Sequence, residues 1–83
     1  MEQIGFLKLA QEFRSNVKYE EYFPILDRLE DIASDYQNNL PASFFIHNAY
    51  QFEAKKVELV LSKLYPMRNY HCSKVETGIF CIK

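Results

Sequence analysis

Residues 42–64 read ASFFIHNAYQFEAKKVELVLSKL, and the fold turns on how this stretch is taken. Ile46, Ala49, Tyr50, Val57, Val60, Leu61 and Leu64 recur at helical spacing, as the buried stripe of an amphipathic helix does. Phe44, Phe45, Phe52 and Leu59 widen the stripe into a broad apolar arc. Such an arc suits a helix that is central to a fold or partly exposed to a partner. The spacing therefore predicts a helix over 42–64. At a rise of about 1.5 Å per residue it would span about 35 Å. That is long for a chain of 83 residues and leaves room for a kink or break near Asn48–Phe52.

The flanks of this stretch carry its stop signals. Asn38-Asn39-Leu40-Pro41 is the clearest punctuation in the chain. Tyr65-Pro66-Met67-Arg68-Asn69 ends the helix, because proline cannot continue one and disfavours helical backbone at the residue before it. Upstream, Phe6, Leu9, Ala10, Phe13 and Val17 predict a first helix over 2–16, closed at Ser15-Asn16. Tyr22, Leu26, Leu29, Ala33 and Tyr36, widened by Ile25 and Ile32, predict a second over 20–37. Pro24 belongs in a first turn, so that helix starts properly at Phe23 or Pro24, with Glu20 and Glu21 near its positive end. Downstream, Tyr70, Cys72, Val75, Thr77, Ile79, Phe80 and Ile82 are strand formers, and Gly78 reads as the turn of a β-hairpin over 70–83. The expected fold is α+β, mainly α: three helices followed by a C-terminal β-hairpin, in a single domain over 1–83.

Composition fits a packed domain. Hydrophobic residues make up 48% and aromatics 16%, against only 2 Gly and 3 Pro. Disordered chains show the reverse bias. A core this small cannot enclose all seven Phe and six Tyr, so some aromatics are expected near the surface. No apolar run approaches the roughly 20 residues of a membrane span. Met1-Glu2-Gln3-Ile4-Gly5 has neither a basic nor an apolar leader region. The expected location is cytoplasmic (the host cytoplasm for a viral protein), with no membrane partner. In that compartment Cys72 and Cys81 default to free thiols packed as small hydrophobes. A hairpin turning at Val75–Gly78 sets Lys74 against Ile79 and Cys72 against Cys81, which brings a cross-strand disulfide near reach under oxidation.

Catalytic and metal chemistry find little support. Cys72, Cys81, His71 and His47 offer no C-x-x-C spacing, and neighbours such as His71 and Cys72 point to opposite faces of a strand. Ser43 and His47 at i, i+4 superficially resemble a nucleophile and base, but Gln51 stands where an acid would follow. Glu53 and Glu58, five apart on a helix, share no face. No phosphate-binding, nucleophile-elbow or zinc-protease motif occurs. The expectation is a non-enzyme without cofactor or metal.

Surfaces remain, and charge is unevenly placed on them. Residues 1–18 sum to +1, residues 19–41 to -5 and residues 42–83 to +3. Asp27, Asp31 and Asp35 form a column at i, i+4 spacing on the second helix, with Glu30 beside them and Arg28 as the nearby offset. This column is the expected binding face for a protein partner, together with Tyr36, Phe44 and Phe45. A compact module of this kind suits a stoichiometric, phage-type inhibitor of a host or defence protein. Homodimerisation through the apolar arc of the third helix is a further expectation. The alternative partner is nucleic acid. Lys55, Lys56, Lys63, Arg68 and Lys74 alternate with Tyr65, Tyr70 and His71, and such mixtures hold phosphates and stack on bases. The order helix, helix, helix, hairpin resembles winged-helix DNA-binding domains in topology. That resemblance implies a turn splitting 42–64 into two helices, with Lys55, Lys56 and Lys63 on the groove side. Lys74-Val75-Glu76-Thr77-Gly78 would then be the wing tip.

Overall fold

The computed structural model describes residues 5–83. It holds three α-helices and a three-stranded antiparallel sheet, so the fold is α+β and mainly α. The chain forms two compact units, residues 1–41 and residues 42–83. No helix among the described residues is long and apolar enough to cross a membrane.

The first unit contains helix α1 (Phe6–Arg14), a 3₁₀ segment (Val17–Tyr22) and helix α2 (Phe23–Ser34). The predicted first helix is trimmed at its C-terminal end and has Gly5 as a non-helical cap before Phe6; its residues 2–4 lie outside the described residues. Phe6, Ala10 and Phe13 repeat at four and three and are buried, whereas Val17, counted in the same stripe, is exposed beyond the helix end. The predicted second helix loses residues 20–22 to the 3₁₀ segment, inside which Tyr19 leaves helical geometry. Pro24 sits in the first turn of α2, where its missing N–H costs no helical bond. Ile25, Leu26, Leu29 and Ala33 are buried, while Tyr36 lies beyond the helix and is 53% exposed. Phe13 stacks on Tyr19 with ring centroids 5.0 Å apart and meets Phe23 edge-on at 6.4 Å.

Asn38 joins the two ends of this unit. Gln37 and Asn38 both adopt positive φ, and the Asn38 N–H donates back to the Ala33 carbonyl at 2.8 Å, closing the end of α2. The Asn38 carbonyl then accepts the Phe6 N–H at 2.7 Å, and its side-chain Oδ1 accepts the Leu7 N–H at 2.9 Å. Two donors at the start of α1, which have no partner within a helix, are thereby satisfied. Gly5 makes room for this arrangement: a Cβ there would stand 2.0 Å from Asn38 Nδ2.

The second unit corrects the expectation for residues 42–64. Its elements are strand β1 (Ser43–His47), helix α3 (Ala54–Leu64), strand β2 (His71–Val75) and strand β3 (Gly78–Ile82). The expected long helix is a strand, a loop and a shorter helix. Phe44-Phe45-Ile46 is a short apolar run that fits either period, and pairing decides it. β1 pairs antiparallel with β3, Phe45 facing Phe80 and Ile46 facing Ile79. Asn48, at positive φ, ends the strand and donates its N–H to the Thr77 carbonyl at 2.9 Å. Tyr50, assigned above to a buried stripe, is exposed in the loop. The sheet order is β1-β3-β2, so the strands are not all C-terminal and the hairpin is two-thirds of a sheet.

Register and turn position within the hairpin match the sequence expectation: Cys72 faces Cys81 and Lys74 faces Ile79. The role given to Gly78 does not. It opens β3, and neither it nor the turn residues Glu76 and Thr77 has positive φ. What Gly78 provides is space: a Cβ would stand 2.0 Å from the Ile46 carbonyl oxygen and 3.0 Å from Phe45 Cζ. The cysteines also depart from the free-thiol default, being joined in a disulfide with Cα atoms 4.1 Å apart. The Cys72 N–H donates to Glu58 Oε2 at 2.9 Å instead of to β3. The Cys72–Cys81 pair is therefore a non-hydrogen-bonded one, in which opposed residues come closest.

Candidate interaction surfaces

On α2, Asp27 and Glu30 fall three residues apart and so share a side of the helix. The Arg14 guanidinium, from the last turn of α1, forks between them, Nη1 to Glu30 and Nη2 to Asp27. The hydrogen bond to Glu30, chiefly, raises the Arg14 pKa above its ordinary value. The acidic column is thus partly neutralised from another helix, and Arg28 is not its sole offset. Asp31 and Asp35 continue the column as exposed residues, and Tyr36, beyond the helix end, is exposed as well. At the other end of the helix, the Tyr22 hydroxyl donates to Glu21, which raises the phenol above its ordinary pKa, with burial and the Glu21 charge adding to the shift.

The two phenylalanines expected beside this acidic face lie in the second unit, on opposite sides of the sheet. Phe44 is buried and packs edge-on against Tyr70 at 5.6 Å, so it is a core residue and not an exposed anchor. Ile46, Cys72, Ile79 and Cys81 share its side. Helix α3 adjoins β2 and adds Val57, Val60, Leu61 and Leu64 to the buried set. Phe45 is half-buried on the other, open side, beside the His47 ring at 4.6 Å and opposite Phe80. Val75, Phe80 and Ile82 are 43%, 38% and 47% exposed there. This open face was not legible, because it exists only once 43–47 is a strand.

The basic residues are dispersed. Lys55, Lys56 and Lys63 are exposed on α3. Arg68 lies 4.1 Å over the Tyr65 ring and donates to the Tyr70 hydroxyl at 3.1 Å. Lys74 donates to the Tyr50 carbonyl at 3.0 Å. A groove of about 610 Å³ runs between α3 and the segment before β2, lined by residues including Lys55, Glu58, Ser62, Asn69 and His71. The helix pair that a winged-helix domain needs within 42–64 is absent, since 43–47 is a strand and only 54–64 is helical. Ser43 and His47, four residues apart on a strand, are separated by about 13 Å rather than by one helical turn. No cluster of three or more His, Cys, Asp or Glu suited to a metal ion occurs among the described residues.

No protein-family model, no curated protein and no solved structure matches the chain.

Proposed function

We propose that the chain is a non-enzymatic protein-interaction module that binds a basic protein partner through the exposed end of α2, in the manner of a stoichiometric inhibitor. The observation that supports this most directly is Tyr36, 53% exposed just beyond the end of α2 and next in the chain to Asp35. A rigid aromatic beside carboxylates is the kind of anchor that carries interface energy, and the carboxylates select a basic partner. The Arg14 fork holds Asp27 and Glu30 within the fold and leaves Asp31, Asp35 and Tyr36 as the contact residues.

Affinity capture from lysate of the source cells, with and without nuclease, tests the proposal. The expected result is one protein recovered in near-equal amount, insensitive to nuclease. It should be lost when Asp31→Lys and Asp35→Lys are combined with Tyr36→Ala. These three exposed positions leave the Arg14 contacts intact, so circular dichroism should report an unchanged fold. Partners that vanish on nuclease treatment, or capture unaltered by the triple substitution, would overturn it.

A further inference from the structure

We propose that the open face of the sheet in the second unit joins two copies of this chain face to face. Strand alternation places three residues of each strand on that face: Ser43, Phe45 and His47, then His71, Ser73 and Val75, then Gly78, Phe80 and Ile82. None of the nine is Asp, Glu, Lys or Arg, in a chain where those types make up 25%. Its centre is apolar, with Phe80 on the middle strand, Phe45 opposite it and Ile82 and Val75 toward the rim.

Charge identifies the occupant. A two-fold axis lays a surface patch on its own image. The exposed side of α2 would then oppose Asp31 and Asp35 to like charges, and that of α3 would oppose Lys55, Lys56 and Lys63 to theirs. The open sheet face, which carries no Asp, Glu, Lys or Arg, opposes none of these charges to itself. Two sheets stacked about 10 Å apart interdigitate side chains of this kind. A polyanion or a strongly basic protein would find no counter-charge on the face.

Area sets the strength. Three strands about 4.8 Å apart and five residues long cover roughly 14 by 17 Å, or about 240 Å². A standard stable interface takes about 800 Å² per partner. The face falls short of that size, so the dimer is weak and forms only at high concentration.

Sedimentation velocity on the purified chain, followed from low micromolar to millimolar concentration, is the test. It needs no partner, so it stands or falls independently of the function proposed above. The expected result is a reversible shift from monomer to dimer. Concentration-dependent amide shifts in NMR spectra should fall on Phe45, Phe80 and Ile82. Phe80→Glu places like charges across the axis and should weaken association about tenfold or more, while circular dichroism reports an intact fold. A chain that stays monomeric at millimolar concentration, a dimer that persists in Phe80→Glu, or shifts confined to α2 or α3 would each overturn the proposal.

Discussion

Reducing the Cys72–Cys81 disulfide should lower the melting temperature by about 15 °C. The bond closes a loop with a sequence separation of 9. Chain-entropy restriction of the unfolded state for a loop of that length amounts to about 2.6 kcal/mol at 25 °C. Unfolding entropy near 2.1 cal/mol/K per residue gives roughly 0.17 kcal/mol/K for this chain, and the quotient is about 15 °C. Native strand pairing does not depend on the bond, because Cys72 and Cys81 sit opposite each other in a register already set by Lys74–Ile79 and Val75–Gly78. Both cysteines are buried, so the thiols of the reduced chain still pack as small hydrophobes. Thermal melts followed by circular dichroism, with and without a phosphine reductant, measure the difference. Titration of two free thiols in the unfolded reduced sample confirms the chemistry. A fall of less than about 4 °C with both thiols free would refute the reasoning, since it would mean that β2 and β3 stay together in the unfolded chain.

Three further outcomes follow from named contacts. Gly78→Ala should cost about 2 kcal/mol or more in urea denaturation, because its Cβ meets the fixed Ile46 carbonyl oxygen; Gly5→Ala should cost less, because the obstructing Asn38 amide can swing aside at the expense of its cap on Leu7. Arg14→Ala should destabilise by about 1 kcal/mol, mainly through the less exposed Glu30 arm, with a smaller loss at high salt. Tyr22 should titrate above the ordinary tyrosine range in an NMR pH series, and Glu21→Gln should bring it down. The sign is that of a raised pKa: the stabilising contact is fully present below the unfolded tyrosine value and is lost as pH rises through the folded one. An unchanged Tyr22 titration in Glu21→Gln would contradict that assignment.

The parts of the fold legible in the sequence are those fixed by neighbours. Phe6, Ala10 and Phe13 mark α1, Leu26, Leu29 and Ala33 mark α2, and the pairing of Cys72 with Cys81 follows from counting out from a turn at 75–78. What escaped depends on residues far apart in the chain. Ser43–His47 has an apolar run short enough for either period, and its strand identity comes from β3, with Phe45 facing a residue 35 positions later. The Asn38 cap reaches across 31 residues to Leu7, and the Arg14 fork across 13 and 16 to Asp27 and Glu30. The same distance hid the use of Gly78, whose constraint is the backbone of β1 rather than the turn beside it. Of the surfaces, helix periodicity put Tyr36 on the buried stripe, from which the end of α2 at Ser34 releases it; the exposure of Asp31 and Asp35 followed from that periodicity. The burial of Phe44 and the open face around Phe80 did not, because a helical assignment gave those rings no sheet to alternate across.

The strand order β1-β3-β2 also bears on synthesis. β1 and β2 are not paired with each other; each pairs with β3, the last of the three to leave the ribosome. Until residues 78–82 emerge, the Phe-rich β1 has no edge to join and Cys72 has no sulfur to bond. The second unit therefore cannot assemble its sheet stepwise as the chain grows, and a nascent chain stalled before Gly78 exposes β1 to chaperones, proteases and other nascent chains. A frameshift or stop in those few codons would abolish the sheet outright instead of trimming it.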